Sequence, residues 1–223
     1  QYPPDSSFRV FTWQLYVNKD EYRYYGAIQM QGRDLKLFPL IDRSFEVADE
    51  NLENATLLRD KWYGYVVYSI EPVKTKTENY YLVFGADSYS AFQRRKIVDV
   101  LSFDEMTGKP LFGKDVFLDI DEATGEVSRV RNRLVQQFSA ESYVTTKYDK
   151  DKKMIMLENL VAIGGPNGPV NVPDGSYRGY QFNKQDGKWH EVEKVFTHTY
   201  EEAPRDTPKG EAVKRDLLGR RQN

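Results

Sequence analysis

The chain has no cysteine, two histidines, no long apolar run and almost no net charge, and each shortage removes a class of function. Without cysteine there are no disulfides, thiol nucleophiles or thiolate metal sites. Basic and acidic residues number 32 and 34, a net charge of −2. Nothing in that balance favours nucleic acid, which attracts a basic excess. No stretch reaches the roughly 18–20 apolar residues of a membrane-crossing helix, and the mean hydropathy is −0.70. Candidate strands vary in length and several carry charge on both faces, unlike the regular strands of a lipid-facing barrel. The chain therefore reads as soluble, peripheral to a membrane rather than spanning it. Its start, Gln1-Tyr2-Pro3-Pro4-Asp5, has neither the basic nor the apolar part of a signal peptide and reads as the interior of a longer precursor.

Recognisable catalytic chemistry is equally scarce. There is no G-x-S-x-G elbow, no S-x-x-K, no HExxH and no glycine-rich phosphate loop. Gly164-Gly165 is followed by Pro166, whose missing N–H spoils a backbone phosphate cradle. The run Asp119-Ile120-Asp121-Glu122-Ala123-Thr124-Gly125 begins like a calcium loop. Thr124 occupies the sixth position and Val130 the twelfth, where a glycine and a glutamate are required, so it reads as an acidic turn. His190 and His198 would need a chain reversal near Phe196 to share a metal. Glu191 and Glu193 share a strand face at roughly 6.5–7 Å, near the spacing of an inverting glycosidase pair. Any solvated strand with alternating glutamates has the same spacing. No metal, cofactor or catalytic residue is expected, and the chain reads as no enzyme.

What the chain does contain is β pattern. Hydrophobic residues make up 39% and aromatics 14%, enough for a sizeable core. Residues 8–17 are aromatic and β-branched, and residues 22–30 read as the return strand, with Tyr22, Tyr24, Ile28 and Met30 on one face by period-two alternation. Residues 62–70 and 80–86 form a second candidate pair, followed by 97–103. Residues 143–148 and 154–160 flank a turn at 148–153. Residues 103–109 and 182–188 share the spacing Phe-(Asp/Asn)-three residues-Gly-Lys, turn chemistry in which glycine supplies positive φ. A further turn is predicted at 123–126. A helix is predicted over 49–62, one helical turn over 88–94, and a Gly/Pro-rich loop over 163–175. The expected fold is all-β: one antiparallel meander over 1–200, closing as a β-sandwich or a partly open barrel, with one short helix near 49–60. A polar, charged tail follows over 201–223.

Two patterns suggest a binding surface. Arg129, Arg131 and Arg133 alternate with Val130, Asn132 and Leu134, so on one strand three guanidiniums line one face. Such a row grips carboxylates or phosphates, or else is neutralised by cross-strand acids. The aromatic clusters Tyr22-Arg23-Tyr24-Tyr25, Trp62-Tyr63-Gly64-Tyr65 and Tyr80-Tyr81 put neighbouring rings on opposite strand faces. One ring of each adjacent pair must meet a second layer, the rim or a partner. Tyr24, Tyr25, Trp62, Tyr63 and Tyr65 are the candidate partner anchors. Trp13, Trp62 and Trp189 are candidate stacking platforms for a glycan.

With these residues in place, the chain resembles an uncharacterised family of exported Gram-negative bacterial proteins. The resemblance rests on Phe8-Arg9-Val10-Phe11-Thr12-Trp13-Gln14-Leu15, Tyr22-Arg23-Tyr24-Tyr25-Gly26 and Trp62-Tyr63-Gly64. It continues in Arg95-Lys96-Ile97-Val98-Asp99-Val100-Leu101-Ser102-Phe103-Asp104, Val172-Pro173-Asp174-Gly175-Ser176-Tyr177 and Lys188-Trp189-His190-Glu191-Val192-Glu193-Lys194-Val195-Phe196. The resemblance covers nearly all of the chain. It implies a signal peptide and a short helical segment ahead of the β part, and a place in the periplasm or at the outer membrane. It implies no activity. The expectation is a non-enzymatic envelope protein that docks a protein partner as an accessory subunit of a larger outer-membrane-associated assembly, with carbohydrate binding as the alternative.

Overall fold

The computed structural model describes residues 1–192 except Asp20, Glu122, Pro166 and Asn167. Its strands, in chain order, are β1 (Phe8–Asn18), β2 (Glu21–Met30), β3 (Leu37–Ile41), β4 (Leu57–Leu58), β5 (Val66–Lys74), β6 (Asn79–Asp87), β7 (Gln93–Phe103) and β8 (Pro110–Phe112). They continue as β9 (Phe117–Ile120), β10 (Val127–Arg131), β11 (Leu134–Ser139), β12 (Thr146–Asp149), β13 (Met154–Gly165), β14 (Gly168–Asn183) and β15 (Lys188–Val192). The α-helix is a single turn, α1 (Asp49–Leu52).

The strands form three sheets and no closed barrel, an all-β, sandwich-like architecture. A three-stranded sheet has the order β1-β2-β3; a central sheet runs β4-β8-β7-β6-β5; a six-stranded sheet runs β10-β9-β15-β14-β13-β12. Strand β7 is long enough to pair twice on one edge, with β11 along its first half and with β8 at its end. Nearly all ladders are antiparallel; β15 pairs β9 in parallel, Trp189 beside Phe117.

The central sheet is covered on both faces, which its side-chain alternation dictates. On one face Val67, Ile70, Val83, Ile97 and Leu101 meet Phe8, Val10, Tyr24, Ile28 and Leu40 of the three-stranded sheet. On the other, Tyr80, Leu82, Phe84, Val98 and Val100 meet Phe117, Ile155, Leu157, Tyr180 and Trp189 of the six-stranded sheet. A strand buried on both faces reads as a near-continuous apolar run, and 80–84 and 97–101 do. The adjacent rings Tyr80 and Tyr81 are divided between the two cores. The indole N–H of Trp189 donates to the Tyr80 hydroxyl at 3.1 Å and ties the layers together.

Three sequence expectations need correction. The helix over 49–62 stops after α1, because Glu53 and Asn54 turn outward to bond the chain at 131–135; residues 57–58 then become β4 and 59–61 a 3₁₀ turn. No helical turn forms over 88–94. The predicted loop over 163–175 belongs largely to two strands: β13 and β14 extend as a hairpin in which Leu160 faces Pro173 and Gly164 faces Pro169. Beyond its pairing with β15, which begins at Gly179, that stretch of β14 has no strand on its other edge among the described residues. A proline there loses no ladder bond. The tail over 201–223, His198 and Glu193 lie outside the described residues.

One turn chemistry recurs. In the turns headed by Asp104, Asp121 and Asn183, the amide of the glycine four residues on donates to the heading residue's carbonyl at 2.7–2.9 Å. Those glycines, Gly108, Gly125 and Gly187, have φ of +63°, +70° and +72°. The turn headed by Asp149 has the same side-chain capping, its carboxylate accepting the amides of Asp151 and Lys152. There the left-handed position falls on Lys153, with φ +54°. An L-residue is disfavoured in that region by its Cβ. Lys153→Gly should therefore raise the unfolding free energy by about 1 kcal/mol, measured by urea denaturation, whereas Gly125→Lys should lower it.

Candidate functional site

The arginine row is not a surface. Arg133 lies in the bend after β10, off the strand, and is fully buried; Arg131 is nearly so. Arg133 faces Asp99 of β7 at 3.2 Å with both side chains fully buried, and its Nη1 donates to the Leu52 carbonyl. Asp99 also accepts from the Tyr65 hydroxyl at 3.1 Å and from the Val100 amide at 2.8 Å. Gly113, at φ +86°, leaves the room: a Cβ there would stand 2.7 Å from an Arg133 guanidinium nitrogen. Arg131 bridges Glu53 at 3.0 Å and Asp119 at 2.5 Å, and Asp119 accepts in turn from the Tyr180 hydroxyl at 2.6 Å. Arg129, half exposed, meets the second oxygen of Glu53 at 3.0 Å. Arg131 and Arg133 are neutralised inside the fold and Arg129 is paired at its surface, so the three guanidiniums do not form an exposed, unpaired row.

The acidic and histidine candidates resolve the same way. Asp121 caps its own turn through the amides of Ala123 and Thr124. His190 contacts Asp186 at 2.6 Å. Glu191 pairs with Arg178 at 3.2 Å. Burial, and then the neighbouring Asp119, push the Glu191 carboxyl above its ordinary range, against the pull of Arg178 and Arg131. Among the described residues no three His, Asp or Glu side chains gather to hold a metal ion.

The aromatic anchors divide. Trp62, Tyr63, Tyr65 and Tyr24 are buried in the first core, and Trp189 in the second. These five are structural, which corrects the expectation that they face a partner or a glycan. The polar ends of the three tyrosines and of Trp189 are spent internally, whereas the Trp62 indole nitrogen has no aligned acceptor. The hydroxyls of Tyr24 and Tyr63 each donate to Asp87 at 2.8 Å, and Arg95 donates to the Tyr63 hydroxyl at 2.7 Å and pairs with Asp49. Burial raises the Asp87 carboxyl, partly offset by those two phenols. This network floors a cavity of about 990 Å³ beside Phe45 and Val47. The carboxylates there are engaged: Asp42 accepts the amides of Tyr24, Ser44 and Gly64, and Asp49 takes Arg95 and the Tyr89 hydroxyl. The network pins the three-stranded sheet to the central one rather than presenting groups to a substrate.

Trp13 and Tyr25 stay outside, on the outer face of the three-stranded sheet. The register sets out rows across it: Arg9–Gln29–Leu37, Phe11–Ala27–Pro39, Trp13–Tyr25–Ile41 and Leu15–Arg23. Phe11, Trp13, Leu15, Leu37 and Ile41 are 45–53% exposed and Tyr25 is 40% exposed. The Trp13 and Tyr25 rings stack across the strands, centroids 5.8 Å apart at 14°. Arg23, at one end, is paired with Glu21 at 3.1 Å. Large contiguous apolar faces are uncommon on the surface of folded proteins.

The edge of that sheet is occupied at its start, where the Val10 amide and carbonyl bond Gln1 and the Thr12 hydroxyl accepts the Val67 amide, and is open among the described residues beyond Thr12. From Val10 to Asn18, β1 carries no charge, proline or glycine. Most other edges are blunted in the ways that suppress strand pairing: β3 by Pro39, β5 by Pro72 and Lys74, β10 by Arg129, β12 by Lys147, and β4 by a length of two residues; β11, which pairs only β7, is uncharged like β1 but has its Gln136 and Gln137 bonded to β13 and β14. Phe11, Leu15, Leu37 and Ile41 were missed as site residues. The signal was present: residues 10–17 are apolar or aromatic at both parities apart from Thr12 and Gln14, so a strand with only one covered face must leave rings in the open.

Comparison with family models, with curated proteins and with solved structures finds no match in any of the three. Among the described residues no helix is long and apolar enough to cross a membrane.

The burial order of the three arginines has a direct test. Arg133→Ala should cost about 3–5 kcal/mol of unfolding free energy by leaving the buried Asp99 without its counter-ion, and Arg131→Ala less than that, since Glu53 keeps Arg129 and Asp119 keeps the Tyr180 hydroxyl. Arg129→Ala should cost less than about 1 kcal/mol. Equal, small losses at all three positions would restore the row to the surface.

Proposed function

We propose that the protein is a non-enzymatic docking subunit of the cell envelope, and that it holds a partner protein on the outer face of β1 and on the part of its edge beyond Thr12. The observation that carries the reading is the uncovered apolar grid of Phe11, Trp13, Leu15, Tyr25, Leu37 and Ile41, continuous with an uncharged edge strand. An extended segment of a partner adds to such an edge by main-chain hydrogen bonds, while its alternate side chains lie on the grid. Aromatic anchors such as Trp13 and Tyr25 are the side chains on which binding energy concentrates. A protein suits the face better than a sugar does. The Trp13–Tyr25 platform is ringed by Phe11, Leu15 and Ile41, whereas a saccharide needs hydrogen-bonding groups beside its stacking ring. The envelope location rests on the family resemblance, and the role as accessory subunit on that together with the missing catalytic chemistry.

A photo-crosslinking residue placed at Leu15, in the cells that make the protein, should yield one adduct of discrete mass. The same residue placed at Lys147, on the far edge of the six-stranded sheet, should not. Trp13→Lys should abolish the adduct without lowering the protein's own melting temperature by more than a few degrees. A diffuse, glycosidase-sensitive adduct would replace the protein partner with a glycan. An adduct of two copies would make the face a self-association surface. No adduct, or the same one from both positions, would overturn the reading.

A further inference from the structure

We infer that the protein has a second binding site, for a single-chain amphiphile with an anionic head, at the open end of the second core. This site is remote from the β1 face and independent of the docking reading. The two larger sheets part where three turns meet: 75–78 between β5 and β6, 150–153 between β12 and β13, and 184–187 between β14 and β15. Between the turns lies a cleft of about 700 Å³, within the size range of small-molecule sites.

Its floor is the core itself. Val73, Leu82 and Trp189 belong to the second core, and the half-buried rings of Tyr148 and Phe182 pack against Trp189 with centroids 6.2 and 5.2 Å away. An apolar chain entering here covers half-buried aromatic surface that water now reaches.

The rim sets the sign of the head. Lys74, Lys76, Lys153 and Lys184 line the cleft and are exposed, and none forms an ion pair among the described residues. The two acids on the rim are already engaged, Glu71 with Lys150 at 3.5 Å and Asp186 with His190 at 2.6 Å. Four ammonium groups around an apolar floor, of which Lys74 also feels the Asp5 carboxylate, repel a cationic head and gain from an anionic one. Lysine suits this role: it is a flexible point charge that follows a head group without demanding a fixed fork geometry. The requirement is charge, shared by a carboxylate and a phosphate head.

Calorimetric titration of the whole chain at low ionic strength, with sodium dodecanoate below its micellar concentration, tests the site. The expected result is saturable binding of one dodecanoate per chain. Affinity should rise about fourfold for each methylene added from decanoate upward and fall with added salt. Lys74 and Lys184 are exposed and lie in ordinary backbone conformations, so the double variant K74E/K184E should fold and bind at least tenfold more weakly. Dodecyl phosphate binding as tightly as dodecanoate would show that charge is what the rim reads; a carboxylate-only site would bind dodecanoate alone. Dodecyltrimethylammonium should not bind. Equal binding of the cationic amphiphile, several molecules per chain, unchanged affinity in K74E/K184E, or no saturable heat would each overturn the inference.

Discussion

The structure turns on a charge that cannot reach water. The Arg133 guanidinium and the Asp99 carboxylate sit fully buried against each other in the middle of the molecule, where an unpaired ion would be strongly destabilising. The pair does not form a fully aligned set of hydrogen bonds: Nε and Nη2 of Arg133 lack an aligned acceptor. Its tolerance depends on the surroundings, namely the Leu52 carbonyl, the Tyr65 hydroxyl on Asp99, and the missing side chain at Gly113. One ion pair therefore commits α1, the central strand β7, the β10–β11 bend and the loop after β8 to a single arrangement. Glu53 extends the tie by gathering Arg129, Arg131 and the Val135 amide, and Arg131 carries it to β9 and β14 through Asp119 and Tyr180. A segment that looks like a surface helix in the sequence is in fact the clamp between two sheets.

With that clamp in place, the central sheet is free to be apolar on both faces, and this changes what the aromatic excess means. Rings that a single core could not hide are divided between two, as Tyr80 and Tyr81 are. Among the described residues each flanking sheet keeps one outward face, and the exposed rings of Phe11, Trp13 and Tyr25 collect on that of the three-stranded sheet. The argument for docking consequently moves away from Trp62, Tyr63 and Tyr65, which hold the fold, and onto Trp13, Tyr25 and their aliphatic neighbours. The open end of the second core provides a different kind of surface, a lysine-rimmed cleft.

How much was legible follows from whether the deciding contact is local. Period-two alternation locates β1, β2, β6 and β7 to within a few residues, since burial on alternate faces is written into each strand's own side chains. The glycine turns at Gly108 and Gly187 are legible for the same reason; the equivalent turn with Lys153 at the left-handed position carries no such flag. The failures are all long-range. The helix predicted over 49–62 loses to bonds made by Glu53 with residues some 80 positions away. Residues 163–175 read as loop because prolines oppose strands, yet Pro169 and Pro173 lie in register opposite Gly164 and Leu160 of β13. The alternation of Arg129, Arg131 and Arg133 is real, but their partners Glu53, Asp99 and Asp119 lie on other segments that no local pattern connects to them. Exposed Trp13 and buried Trp62 and Trp189 cannot be distinguished by composition, only by which sheet has a neighbour.

Native-state hydrogen exchange tests most directly whether a doubly covered central sheet, clamped by the Arg133–Asp99 pair, is the last structure to open. The account predicts that the amides of Val98, Asp99 and Val100 exchange only through global unfolding, with a free energy equal to that from denaturant titration. Amides of the outer hairpin near Val161 and Ile163 should exchange by local opening at much lower cost. If the β7 amides exchanged as readily as that hairpin, the central claim would be contradicted.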